Sequence, residues 1–276
     1  MFGAQWEAIG RESALCCNLV GIGVTNLGRA DYTNLGNYYT AFFGLTVGLE
    51  RMAKLALVAD YAIENRSMPS PGYLKNYGHE LAALFEKCRD LIKKHGVTLT
   101  YPYPNNQICD KIIKCLDNFA AASKGRYANF TELSNPTLCR EEPVRQWWNE
   151  VAELILKKHF YNTSKEKVVK DSAKVSGQVM TPAIVFLSTE DGTKLSDVES
   201  AVYRKKQAET IQRYGRFYTL NIVRWLAEFL CTIAKIAANA HQIKAFFGLE
   251  EHYIGNYILP DEFLKRRKTW PILKNY

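Results

Sequence analysis

The chain predicts an all-α protein, a helical bundle, and three observations carry that expectation. Apolar residues recur at helical intervals along most of the 276 residues. Glycine (17) and proline (9) are scarce for this length, which disfavours a turn-rich β fold. The clear breakers are few and far apart: Ser67-Met68-Pro69-Ser70-Pro71-Gly72 and Tyr101-Pro102-Tyr103-Pro104-Asn105-Asn106.

The elements follow in order. A mixed apolar and small segment runs from about Glu12 to Arg29 and leads into a long helix from about Asn37 to Glu64. After the first breaker a helix is expected from about Glu80 to His95, with Leu81, Leu84, Phe85, Cys88, Leu91 and Ile92 on one face. After the second breaker, Ile108, Ile112, Ile113, Leu116 and Phe119 mark another, ending near Lys124-Gly125. Asn135-Pro136 and Glu142-Pro143 are the best boundary, which gives a domain over 1–140 and a second helical region over 141–276. In that second region Val144 to Phe160 reads as helix. Residues 161–200 are polar, and Ile184-Val185-Phe186-Leu187 fits a short strand or a turn of helix equally. Glu190-Asp191-Gly192 is a turn. A charged helix is expected from Ser196 to Arg213 and a more apolar one from about Tyr218 to Phe246, before an irregular, aromatic-rich extension over 247–276.

Composition narrows the class. The net charge of +8, with a pI near 9.0, favours solubility and weak attraction to nucleic acid or anionic lipid. Seven cysteines, odd in number and without a Cys-x-x-Cys pair, fit reduced thiols in a cytosol better than a disulfide framework. The N-terminus lacks a basic segment before an apolar one, so no signal peptide is expected. Charges such as Glu50, Lys54, Glu228 and Lys235 break every long apolar stretch, so no membrane span is expected. Zinc spacing, Gly-x-Ser-x-Gly and His-Glu-x-x-His are all missing, and neither a metal nor a cofactor is expected.

Three groups of residues are candidates for function. The first is polar and lies on successive helices. Glu50 and Lys54 sit one turn apart inside an apolar helix, in the favourable order for an ion pair, and charges there need partners. His79 opens the next helix, beside Glu80, and Arg126 and Tyr127 follow a later one. These residues fit an acid–base and phosphate-binding site or a satisfied core network. The second group is Arg204, Lys205, Arg213 and Arg216, interleaved with Tyr203, Tyr214, Phe217 and Tyr218. Arginines among aromatics suit single-stranded nucleic acid, and amphipathic packing looks the same. The third, Gly21-Ile22-Gly23-Val24-Thr25-Asn26-Leu27-Gly28, mimics a phosphate loop. Its last glycine is late for a dinucleotide fingerprint and no βαβ unit surrounds it, so close helix packing is the better reading.

Leu49-Glu50-Arg51-Met52-Ala53-Lys54, Gly78-His79-Glu80-Leu81-Ala82-Ala83-Leu84 and Arg126-Tyr127 together resemble the HEPN superfamily, over about residues 30–135. The resemblance implies an all-helical bundle, frequent homodimers and a role in bacterial RNA metabolism, phage defence or a toxin–antitoxin system. It also implies metal-independent ribonuclease chemistry, in which an arginine and a histidine act with four to six residues between them. Arg89 and His95 have that spacing. They lie on the helix that starts at His79, earlier than the family's usual place. Two constellations result: His95 with Arg89, or His79 with Arg126 and Glu50 as orienter, and the second is preferred because its residues carry the resemblance. The expectation is a cytoplasmic protein that binds or cleaves RNA, as a homodimer or with a protein partner. The alternative is a non-catalytic helical interaction subunit.

Overall fold

The computed structural model describes residues 3–70, 72–121, 142–180, 185–249 and 253–270. Helix α1 spans Ala4–Leu27 and α2 Gly36–Asn65. A 3-10 turn, Tyr73–Asn76, precedes α3, Leu81–Lys94, and α4 is Gln107–Ala120. A continuous rod, α5, is built from Pro143–Gln146, a π-helical stretch Trp147–Ala152, and Glu153–His159. Helix α6 is Ser164–Val179. Two short antiparallel strands, Leu187–Ser188 and Lys194–Leu195, flank the expected Glu190-Asp191-Gly192 turn. Helix α7 is Val198–Lys235, extended by a π-helical turn, and α8 is Asp261–Arg266. The fold is all-α, with almost no strand among the described residues.

Local chemistry starts these helices where they start. The side chains of Asn106, Thr163 and Asp197 each accept a backbone N–H in the first turn of α4, α6 and α7. Helix α3 borrows its cap: the Asp117 carboxylate of α4 accepts the N–H groups of Leu81 and Ala82. Burial nevertheless holds the Asp117 carboxyl above its ordinary value.

Helices α1 and α2 pack backbone to backbone. A Cβ at Gly44 would lie 2.6 Å from the Leu19 carbonyl oxygen, and one at Gly23 would lie 2.7 Å from the Leu45 side chain. Helix packing is thus the structural use of the Gly21–Gly28 segment. Around α2 stand α1, α3, α4 and α7. Phe42 touches Phe119 and Trp147, and Trp225 of α7 meets Phe85 and Tyr103 edge-on. Most of the buried apolar side chains form one cluster that runs from Ile9 to Trp270.

Two elements differ from expectation. The separate helices expected over 196–213 and 218–246 are a single helix of 38 residues. The change from charged to apolar sequence marks where that helix leaves the surface and enters the core. Residues 164–179, which periodicity left unassigned, form α6 against α7. The C-terminal extension is irregular apart from α8 and a 3-10 turn, Ile254–Tyr257. It is pinned to α1: Tyr257 stacks on Trp270, its hydroxyl donates to the Cys17 carbonyl at 2.7 Å, and the Trp270 N–H donates to Thr25 at 2.9 Å.

Candidate functional site

The middle of α2 faces the chain that leads into α3, and a cleft of about 530 Å³ opens between them. Its floor is apolar, from Leu55, Val58, Leu74 and Tyr77. Its rim is charged, from Glu12, Glu50, Arg51, Lys54, Lys75 and His79. The helical spacing of Glu50, Lys54 and Val58 aims all three at the opening.

Glu50 and His79, 29 residues apart in sequence, meet here. The Nδ1 atom of His79 lies 2.9 Å from Oε1 of Glu50, and the Lys54 ammonium donates to the same oxygen at 2.8 Å. Glu50 and Lys54 are mostly covered, at 19% and 12% side-chain exposure, whereas His79 stands 73% exposed. A carboxylate can only accept, so Nδ1 carries a proton, and the lone pair of the neutral tautomer then lies on Nε2. That nitrogen makes no hydrogen bond among the described residues. Arg51 pairs with Glu12, whose hydrogen bond holds the guanidinium above its ordinary value. Lys75 makes no ion pair among the described residues. The geometry is that of an oriented imidazole beside cations, over a floor apolar enough to take a base or ring.

The other expected residues fall elsewhere. Arg126 and Tyr127 lie outside the described residues. Arg89 lies on α3 and His95 directly after it, and they have separate partners. His95 caps the end of that helix, with Nε2 2.7 Å from Asp60, which also accepts from Lys94. Arg89 lies over the ring of Tyr103 and beside Glu86. Arg204 is buried: it pairs with Glu190 at 2.9 Å and stacks 3.2 Å from the centroid of Trp148. Lys205 and Arg213 are exposed, and Arg216 is buried at 3% exposure. Among the described residues, no three His, Cys, Asp or Glu side chains gather as a metal-binding set, and no helix is long and apolar enough to cross a membrane.

Arg51, Lys75 and Glu12 belong to the cleft and were not legible as part of it. Arg51 had one usable signal, its place beside Glu50. Lys75 sits in a breaker-flanked turn where periodicity carries no information.

No family model, no curated protein and no solved structure matches the chain.

Proposed function

We propose that the cleft cleaves single-stranded RNA, with His79 as the base. The observation that carries this reading is the Glu50–His79 pair: a histidine held by a carboxylate on one nitrogen and open to solvent on the other. Nε2 of His79 takes the proton of a ribose 2′-hydroxyl. The 2′-oxygen attacks the adjacent phosphorus, and the bond to the 5′-oxygen breaks. The products are a 2′,3′-cyclic phosphate and a 5′-hydroxyl, whose proton comes from solvent. Glu50 keeps the ring in the useful tautomer and stabilises the imidazolium. Lys75 and Lys54 offset charge on the phosphate. The HEPN-like motifs around Glu50 and His79 support the same chemistry, and that resemblance implies a phosphate-binding role for Arg126, which lies outside the described residues.

The test is cleavage of a labelled single-stranded RNA in EDTA. His79→Ala is expected to lose about 10²–10⁴-fold in rate, and Glu50→Gln and Arg126→Ala to lose rate with the fold intact. A cyclic phosphate on the 5′ fragment is the expected product. Equal rates in wild type and His79→Ala, or an inert wild type, would overturn the reading.

A second reading, a non-catalytic interaction subunit, is favoured by one observation. Val168, Val175 and Val179 stand exposed on α6, and Met180, which follows its last turn, is exposed as well. A stripe of that kind suits a protein partner. Sedimentation of wild type beside Val175→Glu measures self-association through it, and a monomeric wild type removes the homodimer form of this reading.

A further inference from the structure

Three arginines on α7 are buried, and only two have the partners that burial of a charge requires. Arg204 has Glu190. Arg224 donates to Asp261, Asn221 and the Leu259 carbonyl, at 2.7, 2.7 and 2.8 Å. Arg216, 3% exposed, makes no hydrogen bond or ion pair among the described residues; its Nε is buried without a partner, as are those of Arg204 and Arg224, so the difference lies in its Nη atoms. Its guanidinium lies over Gly28, where a Cβ would come within 2.3 Å of Nη1. Glycine at the end of α1 therefore makes the space that Arg216 occupies. The end of α1 offers it about half a negative charge and no hydrogen bond.

The surroundings add cations instead of an anion. Arg213, one helical turn earlier on α7, is exposed and makes no ion pair among the described residues. Burial first, and then the Arg213 cation, holds Arg216 below its ordinary value. The Tyr214 ring beside Arg213 stacks in parallel on His159, 3.6 Å between centroids. Burial first, then Lys158, Lys265 and Arg213, pushes His159 down to about 4, so the ring is neutral and adds no cation of its own. The chemistry of the site suits a ligand with at least two negative oxygens, which a guanidinium fork binds in parallel. A phosphate has that chemistry, and the further cations and the aromatic pair beside it extend the fit to a strand.

We propose that Arg216 and Arg213 seat a backbone phosphate of single-stranded RNA, on a face built by α7 and the end of α1. The proposal extends the ribonuclease reading from the reacting group to strand binding, and it is tested apart from cleavage.

The experiment is fluorescence anisotropy of the full chain with a labelled single-stranded 2′-O-methyl oligonucleotide, which lacks the attacking hydroxyl. Arg216→Gln and Arg213→Gln should each weaken binding at least about tenfold, and lower the slope of log affinity on log salt by about 0.7 per lost phosphate. Arg11→Gln, which removes an exposed cation paired with Glu7, should bind like wild type. Arg216→Met should lose binding while Tm rises about 2–4 °C, because an unpaired buried charge is gone. Unchanged affinity in folded Arg213→Gln and Arg216→Gln overturns the proposal, as does a wild type that does not bind the strand. Inorganic phosphate that raises Tm in wild type but not in Arg213→Gln, without strand binding, overturns the RNA assignment in favour of a free-phosphate site. Because the strand cannot be cleaved, an inert His79 leaves this result untouched.

Discussion

Glu190 has no side-chain exposure, and its two oxygens are taken by Tyr38 at 3.1 Å and Arg204 at 2.9 Å. The hairpin turn thus places a carboxylate at the joint of α2, α5 and α7. Its negative charge keeps the Tyr38 phenol well above its ordinary value, after burial itself. Arg204→Leu would leave that carboxylate buried without its cation, at a cost of about 3–5 kcal/mol. Urea unfolding measures this, and a loss below about 1 kcal/mol would show that Glu190 finds water or another partner. Glu190→Gln should cost less, since the amide still meets Tyr38. In sequence, Arg204 was indistinguishable from Lys205 and Lys206. Each helical residue turns about 100° from the last, so one member of a basic triplet points inward while its neighbours stay wet. Which one does so is decided by Trp148 and Glu190, far away in the chain. The Glu50–Lys54 pair was legible because both partners lie within one turn of one helix. Its junction with His79 depends on how the chain returns after the Ser67–Gly72 breaker, and the sequence pointed to it only through a set of polar residues on successive helices and a family resemblance.

At the scale of elements, α6 and α5 are fastened to α7 by two groups that titrate in acid. The Glu166 carboxylate accepts from the Tyr203 hydroxyl at 2.6 Å and from the Asn162 N–H at 2.7 Å. Those bonds, with Lys170, hold it down to about 2. His159, at the end of α5, meets the Tyr218 hydroxyl at 2.8 Å and is held down to about 4. In both, the folded value lies below the unfolded one, so the unfolded chain binds protons first and stability drops as the pH is lowered. The His159 contribution is complete above about pH 6.5 and is lost down to about pH 4. The Glu166 contribution goes between about pH 4.5 and 2. Thermal unfolding at stepped pH should show the Tm of wild type fall relative to His159→Gln in the first window, and relative to Glu166→Gln in the second. Parallel Tm profiles across either window would remove that group from the account. The joining of two expected helices into α7 has a related cause. No proline or paired glycine separates them, and the lone Gly215 faces Trp147, 3.1 Å from where its Cβ would be. A single glycine costs a helix only about 1 kcal/mol, which packing along 38 residues outweighs. Composition changes at that point because the environment changes, and the backbone does not.

For the whole molecule, the described residues before 122 and after 141 depend on each other. Trp225 gives the most direct reading. It belongs to α7, is fully buried, and packs on Phe85 of α3 and on Tyr103, at 5.4 and 4.9 Å between ring centroids. The Glu228 carboxylate, one turn further on, accepts the N–H groups of Thr100 and Tyr101 at 2.8 and 2.7 Å. Tyr257 and Trp270 close the other side against α1. Apolar surface buried at these joints is exposed to water if either part unfolds alone. Truncating one large buried aromatic of this kind to alanine costs about 3–5 kcal/mol, a large share of an ordinary domain's roughly 5–15. The expected outcome is therefore one cooperative transition. Urea unfolding followed by tryptophan fluorescence and by far-ultraviolet circular dichroism should give coincident midpoints. Trp225→Phe should lower both midpoints together, because the joint serves both sides. A fluorescence change completed well before helix is lost would mean that the two parts separate first, and would favour independent domains over 1–140 and 141–276.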